Sequence, residues 1–359
     1  MKLSHVIEEL VEERGLDRSV LSSIMCEGML AAYKKKYPDL DLEVSYNKKN
    51  DEIEVAVQKT VVASPVDEDR EISLRKARSM KEDAEIGDLL KVPFDGAIGR
   101  IEILKAKQII AQKIRSIEYA HIYNEFKPKE GTIVVGVIHK SERNGITVKV
   151  QDTLAFLPKS FMLPDDKAIV GYSIRALLKE VYAEPRNENQ LILDRTSPEF
   201  IKKLFELEIP EVFERIVEIK KIVRSPGYKS KVLVSSNDKN IDPVGTCIGM
   251  GGSRIKPILR EIGSEKIDVI GMSSSVESFV KDALKPAVVD RVELIDNKNA
   301  QVWLDEDQRS LAIGRMGQNI LLASQLTGLS IHLVKKEADA SFHVDEEVRS
   351  DQEPVSLDE

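Results

Sequence analysis

A chain of 359 residues with 42% apolar and 32% charged side chains has material for two to four soluble domains, each with its own core. Its formal charge of −8 argues against a uniformly basic nucleic-acid coat or a membrane-surface protein. That charge is uneven: residues 337–359 carry nine acids and one base, so residues 1–336 sum to zero.

Two cysteines, Cys26 and Cys247, give neither a disulfide framework nor a paired-thiol metal motif. No apolar run approaches the ~18 residues of a bilayer span. The first dozen residues contain acids and no signal-type core, so a cytoplasmic location is expected. The histidines (His5, His121, His139, His332, His343) are scattered. There is no His-Glu-x-x-His pair, nucleophile elbow, phosphate-binding loop or dinucleotide fingerprint. The expectation is therefore a non-enzyme with no catalytic residue, metal or cofactor.

Leu3 to Arg14 has helical periodicity and stops at Gly15; Asp17 is placed to cap a second helix that ends before Pro38. Alternation at Leu42, Val44, Tyr46 and again at Ile53, Val55, Val57 predicts a hairpin across 47–51. Residues 100–126 carry a long helical stripe through Ile103, Ile110, Ile114 and Ile117. Five strands follow, at 132–139, 146–150, 153–157, 171–179 and 190–194. Asn144-Gly145 is read as the tight turn of the first hairpin, with positive φ at both residues. Strand counting leaves two folds open, a five-stranded barrel of the OB type and a different meander.

Beyond Ser197 the chain repeats itself. Residues 248–255 read Ile-Gly-Met-Gly-Gly-Ser-Arg-Ile, and residues 313–320 read Ile-Gly-Arg-Met-Gly-Gln-Asn-Ile. Before the first copy the pattern gives a helix (199–215), strands (216–223, 231–235) and a short helix (243–248). Before the second it gives a helix (276–285), strands (290–295, 300–304) and a short helix (307–313). A helix (253–262, 318–327) and a strand (266–270, 330–334) follow each loop. Two such copies indicate duplicated domains, because a solenoid needs three or more units.

Each loop is an apolar-Gly-x-x-Gly joint between helices. Glycine lets another backbone lie close, and the next helix presents free N–H groups and the positive end of its dipole. An anionic backbone suits that surface, and a Gly-x-x-Gly clamp on about four nucleotides marks KH domains. Candidate RNA contacts are Gly249, Met250, Gly251, Gly252 and Arg254 at the first loop. At the second they are Gly314, Arg315, Met316, Gly317 and Gln318. The flanking Ile248, Ile255, Ile313 and Ile320 are expected in the core.

Lys220, Lys221, Arg224, Lys229 and Lys231 fall in an acid-free stretch, 219–237. They read equally as a track for an RNA backbone or as a solvated strand pair. His139 and Phe156 lie on barrel strands where such folds stack bases, although Phe156 fits the core as well. Cys247, beside the first loop, reads as a small buried side chain.

The stretch 1–335 resembles the NusA family of bacterial transcription elongation, termination and antitermination factors. The resemblance rests on Asp-Pro-Val-Gly at 242–245 leading into Ile-Gly-Met-Gly-Gly, and on Ile-Gly-Arg-Met-Gly-Gln-Asn-Ile-Leu-Leu-Ala-Ser-Gln-Leu-Thr-Gly at 313–328. It implies a multidomain α/β and β chain. A mixed α/β N-terminal domain that binds RNA polymerase (1–128) comes first. An OB-fold barrel like that of ribosomal protein S-one (129–197), two tandem bacterial-type, type II KH domains (198–273 and 274–336) and an acidic tail (337–359) follow. The implied partners are RNA polymerase, nascent single-stranded RNA and other Nus-type elongation factors, for a monomer off the membrane. One departure stands out: the family usually has a base at the third position of the first loop, where this chain has Gly251. Arg254 is then the candidate to supply the missing charge. An exoribonuclease of the polynucleotide phosphorylase kind also combines such a barrel with a KH domain, but in reverse order and after a large catalytic region.

Overall fold

The helix expected from Asp17 opens the described part of the computed structural model, which covers residues 17–47, 50, 52–186 and 189–335. The helix read at 3–14 and the tail at 337–359 lie outside the described residues. Helix α1 (Arg18–Lys36) is capped by Asp17, whose carboxylate accepts from the Ser19 amide at 2.7 Å. Lys34, Lys35 and Lys36 occupy its last turn, where cations meet the negative end of the dipole. It lies against helix α3 (Arg100–Phe126), and Gly28 allows the approach: a Cβ there would sit 2.4 Å from the Ile110 side chain.

Strands β1 (Leu42–Asn47) and β2 (Glu52–Val62) make the antiparallel hairpin, with Leu42 opposite Val57. Three short elements escaped the periodicity: β3 (Glu71–Ser73), α2 (Leu74–Met80) and β4 (Leu89–Pro93). β3 pairs parallel and β4 antiparallel with β2. A small core of Val61, Ile72, Ala77 and Ala84 holds them.

Strands β5 (Ile133–Glu142), β6 (Gly145–Val150), β7 (Thr153–Pro158), β8 (Ser173–Arg186) and β9 (Asn189–Asp194) close a barrel in the order β5-β6-β7-β9-β8. β5 and β8 complete it, Ile133 facing Leu177. The fifth strand lies between the third and fourth, which is the OB arrangement rather than a meander. Ile138, Ile146, Val148, Leu157 and Leu178 are buried. The first hairpin turns one residue earlier than expected, because Glu142 faces Gly145 and leaves Arg143 and Asn144 at the turn. Gly145 instead admits β7: a Cβ there would lie 2.3 Å from the Leu157 carbonyl oxygen.

The chain forms two compact units. One holds α1 to α3, β1 to β4 and the stretches Asp152–Ala155 and Glu180–Ile192. The other holds Gly131–Gln151, Phe156–Lys179 and the described residues from Leu193 onward. In the second unit the helix expected over 199–215 is two, α4 (Pro198–Glu208) and α5 (Pro210–Phe213). Pro210 supplies no N–H and turns Ile209 extended, at φ −125° and ψ 104°.

Next come β10 (Val217–Ser225), β11 (Lys229–Ser236), α6 (Pro243–Ile248), α7 (Ile255–Ile262) and β12 (Lys266–Gly271), with β11 central and parallel to β12. The plan then recurs as α8 (Val276–Ala283), β13 (Arg291–Leu294), β14 (Asn299–Leu304), α9 (Glu306–Ile313), α10 (Gln318–Thr327) and β15 (Ser330–Lys335). Here β14 is central and parallel to β15. The extra helix and strand precede the minimal core in both copies, the bacterial type of KH domain.

The first sheet is covered on both faces. Val232 and Val234 join Phe200, Leu204 and Ile258 in the first core, while Val223 and Ile270 join Val280, Leu284, Val302 and Leu326 in the second, with Leu233 packed against it. Because strand side chains alternate, Lys229, Lys231 and Leu233 share one face of β11, toward the second KH domain. Lys229 and Lys231 both reach Asp268, at 3.0 and 2.8 Å. Lys229 also donates to Asn319 Oδ1 at 3.4 Å, and Lys231 to the Lys285 carbonyl at 3.3 Å. Asn319 is buried, and its amide nitrogen reaches the carbonyls of Leu284, Leu311 and Ala312 at 3.1–3.2 Å. Lys221, on β10, donates to the carbonyls of Gln325 and Leu326 at the end of α10.

Two buried arginines tie the rest together. Arg195 holds Asp166 with two nitrogens, donates to Glu261 Oε1 at 2.7 Å and its carbonyl at 2.9 Å, and reaches the Arg175 carbonyl. Barrel and first KH domain thus share one guanidinium. Arg224 pairs with Glu265 at 2.8 and 2.9 Å; that carboxylate also accepts from Ser230 Oγ and the Gly227 amide. Every oxygen of the pair has donors, the condition under which burying charge is tolerated.

Arg224→Met strands the Glu265 charge and should lower the unfolding free energy by about 3–5 kcal/mol, read by urea denaturation of the whole chain. Asn319→Ala leaves buried carbonyls and Lys229 short of a partner and should cost about 1–3 kcal/mol in the same assay.

Candidate nucleic-acid interface

The two glycine loops have one backbone conformation. Gly249 and Gly314, each ending a short helix, stand at φ 73°, ψ 166° and φ 72°, ψ 176°. At the third position Gly251 has φ 57°, ψ 23° and Met316 has φ 53°, ψ 27°. Gly252 and Gly317 close the loops at φ 77° and 73°. The matched sequences therefore fold to matched geometry.

The glycines divide by role. A Cβ on Gly249 would lie 2.7 Å from Ser253 Oγ, and one on Gly314 would lie 2.7 Å from Asn319 Cβ. The first glycine of each loop thus lets the following helix pack back. Gly251 and Gly317 face open space, which leaves room for a guest backbone. Met250 and Met316 project, 94% and 89% exposed. Neither α7 nor α10, which Gln318 opens, has a side-chain cap at its start, so no side chain caps the first-turn amides.

The cations are arranged differently from the sequence expectation. Arg254 is not the first loop's free charge: Glu211 holds its guanidinium at 2.9 Å, and the Thr246 carbonyl accepts at 3.0 Å. Lys256 is the better placed base. It is exposed, its Cε would lie 3.5 Å from a Cβ on Gly252, and it has no partner among the described residues. Its position four residues after Gly252 was the available signal. Arg315 is exposed and unpaired among the described residues.

For three residues of the basic stretch 219–237 neither reading holds. Arg224 and Lys231 are buried, Lys229 nearly so, and all three are engaged inside the fold. Burial pushes the Lys231 ammonium below its ordinary pKa, against the pull of Asp268. Lys221 closes a helix end, and Lys220 is exposed but paired with Glu218. Three of the five are internal: Lys229 and Lys231 because β11 is covered on both sides, and Arg224, on β10, because Glu265 and the Ser197 carbonyl hold it.

On the barrel, His139 is exposed, and Phe156 is half-buried between the buried Ala155 and Leu157. Phe156 therefore sits on the outer side of β7, not in the core. Ile248 is also exposed, against expectation, and adds an apolar flank to the first loop, whereas Ile255 is buried. Burial pushes the Cys247 thiol up to about 12, leaving an inert small side chain. Among the described residues no helix is long and apolar enough to cross a membrane.

Comparisons with known proteins agree with this geometry. Family models for the NusA N-terminal domain match residues 2–120, for the NusA-like first KH domain residues 195–272, and for the NusA-like second KH domain residues 276–341. The transcription termination/antitermination protein NusA of Thermus thermophilus is 35% identical over 347 residues, covering 92% of this chain and 89% of the relative. The Bacillus subtilis protein of the same name is 33% identical, covering 92% and 90%. That of Halalkalibacterium halodurans is 32% identical, covering 98% and 92%. With paired KH loops of one geometry and relatives matched along nearly its whole length, the chain belongs to the NusA family of transcription termination/antitermination proteins, whose KH domains bind RNA.

Proposed function

We propose that the chain is a cytoplasmic adaptor without catalytic activity, which docks on RNA polymerase and holds the emerging single-stranded RNA. It would thereby modulate pausing, termination and antitermination, acting as a monomer alongside other Nus-type elongation factors. Residues 1–128 are assigned to the polymerase, and the barrel (129–197) with the two KH domains (198–273 and 274–336) to RNA. The tail 337–359 is assigned no contact.

The observation that carries this reading is the repeated loop. Two exposed joints with the same dihedral angles stand on one packed unit, each followed by an uncapped helix start. A phosphodiester backbone laid on each loop lies against an open glycine beside an uncapped helix start. Lys256 and Arg315 supply charge there, and Met250, Met316 and Ile248 offer apolar contact to sugars or bases. His139 and Phe156 on the barrel are secondary base contacts. With Arg224, Lys229, Lys231 and Arg254 engaged inside the fold, affinity for RNA alone is modest. Attachment to polymerase offsets this, because a tethered module meets the transcript at high effective concentration.

The test is fluorescence anisotropy of the full chain with an unstructured single-stranded RNA. The double variant Gly251→Asp, Met316→Asp places a negative charge at each loop's third position, and aspartate tolerates the left-handed backbone there. Affinity should fall by about tenfold or more, ~1.4 kcal/mol, with the unfolding midpoint unchanged. Undiminished binding would remove the glycine loops from the mechanism.

A further inference from the structure

The two KH sheets carry corresponding rows of side chains on the face turned away from their own helices. In the first sheet Lys221, Leu233 and Ile270 stand side by side across β10, β11 and β12. In the second, Arg291, Trp303 and Val334 hold the same places across β13, β14 and β15. Each row is a base followed by two apolar side chains. Each also lies one residue before the last parallel pair, Val234–Gly271 in one sheet and Leu304–Lys335 in the other.

The first row is covered. Leu233 and Ile270 pack in the second core with Val280 and Leu284, both fully buried. Lys231, on the neighbouring row, donates to the Lys285 carbonyl at 3.3 Å. The cover is the segment that directly follows the sheet's last strand: Ser275 caps α8 four residues after β12 ends at Gly271. The second row has no such cover among the described residues. Trp303 and Val334 are half-buried and belong to neither KH core. The Arg291 guanidinium lies 5.3 Å from the Trp303 ring centroid.

The sequence after β15 repeats the pattern that covers the first row. Four residues beyond Lys335 stands Asp339, a capping residue type like Ser275. At the same spacing Val344 matches Val280, Val348 matches Leu284 and Arg349 matches Lys285. Val344 and Val348 have the separation of one helix face. Glu347 falls where α8 has the buried Ala283, and the sheet face opposite offers Arg291 and His332.

We propose that residues 339–349 dock on this outer face of the second KH sheet, in the place that Ser275–Lys285 takes on the first. Val344 and Val348 cover Trp303 and Val334, and Glu347 faces Arg291 and His332. The acidic segment is thereby held on the side of the sheet opposite α9 and α10, whose joint is the second glycine loop. This goes beyond the reading above, which gives residues 337–359 no contact, and does not depend on it.

Trp303 is the chain's only tryptophan, so its fluorescence reports on this face alone. The test compares acrylamide quenching of the full chain with that of the double variant Val344→Asp, Val348→Asp. Quenching follows the ring surface open to the solute, so uncovering the half-buried ring should raise the quenching constant about twofold and shift emission to the red. Removing residues 337–359 should give the same change. A synthetic peptide of residues 337–359 should reverse it, whereas a peptide of the same composition in scrambled order should not.

Wild-type quenching and emission in the truncated chain would overturn the docking. So would reversal by the scrambled peptide, which would show charge attraction alone. Protection that rises with protein concentration would overturn it too, by showing a second copy on the face. Anisotropy with single-stranded RNA supplies the last arm: truncation should leave affinity unchanged. A gain in affinity with Trp303 unaffected would put the acidic segment on the glycine loops instead.

Discussion

Strand β11 is buried on both faces, and the placement of the two glycine loops depends on what its side chains meet there. One face completes the first KH core with Val232 and Val234; the other sends Lys229, Lys231 and Leu233 into the seam with the second domain. A buried ammonium is costly unless paired and hydrogen-bonded. Asp268 answers both lysines, and Asn319 and the Lys285 carbonyl complete the set. Asn319 also packs under Gly314, so the residue that receives Lys229 is the one on which the second loop rests. The seam thereby sets the second loop's position relative to the first domain's sheet. On the proposed RNA contact, two loops held at a fixed separation would act on one strand as a bivalent site.

The loops show how one backbone serves two chemistries. Both require a left-handed third residue, filled by Gly251 in one and Met316 in the other. Glycine adopts that conformation freely, whereas methionine bears a steric penalty of roughly 1–2 kcal/mol. Strain retained at an exposed position is commonly functional, and Met316 presents its thioether outward from there. The first loop places its methionine one position earlier, at Met250, and leaves the left-handed site bare. The two clamps share amide geometry but offer a guest different side chains.

The sequence was informative where local rules and tertiary packing agree. Asp17 before a helix and Pro38 after it are local signals, and the structure keeps both. The repeat around the glycine loops was legible because two copies of an unusual spacing reinforce each other. Barrel topology was not, since the order of β8 and β9 depends on long-range pairing that no strand count encodes. β3, α2 and β4 are each too short to establish a period. The basic stretch 219–237 misled for a specific reason. Charge on an edge strand reads as solvated, and nothing local told that β10 and β11 would be roofed by a second domain, with Leu284 at the end of α8 packed in the shared core and α10 over the strands. Arg254 misled similarly, because Glu211 is distant in sequence but adjacent in the fold.

Residues 200–336 sum to +3, a modest excess for holding polyanions, and a plain count still overstates what RNA meets. Arg224, Lys229, Lys231 and Arg254 are neutralised within the fold. Among the described residues, Lys256 beside the first loop and Arg315 in the second are exposed bases without a partner. Fewer phosphate contacts mean weaker binding to RNA in general and a shallower salt dependence. On the proposed docking to polymerase, low general affinity is an advantage: it keeps the loops from other cellular RNA, while tethering restores occupancy on the transcript. The buried cations are part of the same solution, since they hold the clamps rigid without adding to indiscriminate attraction.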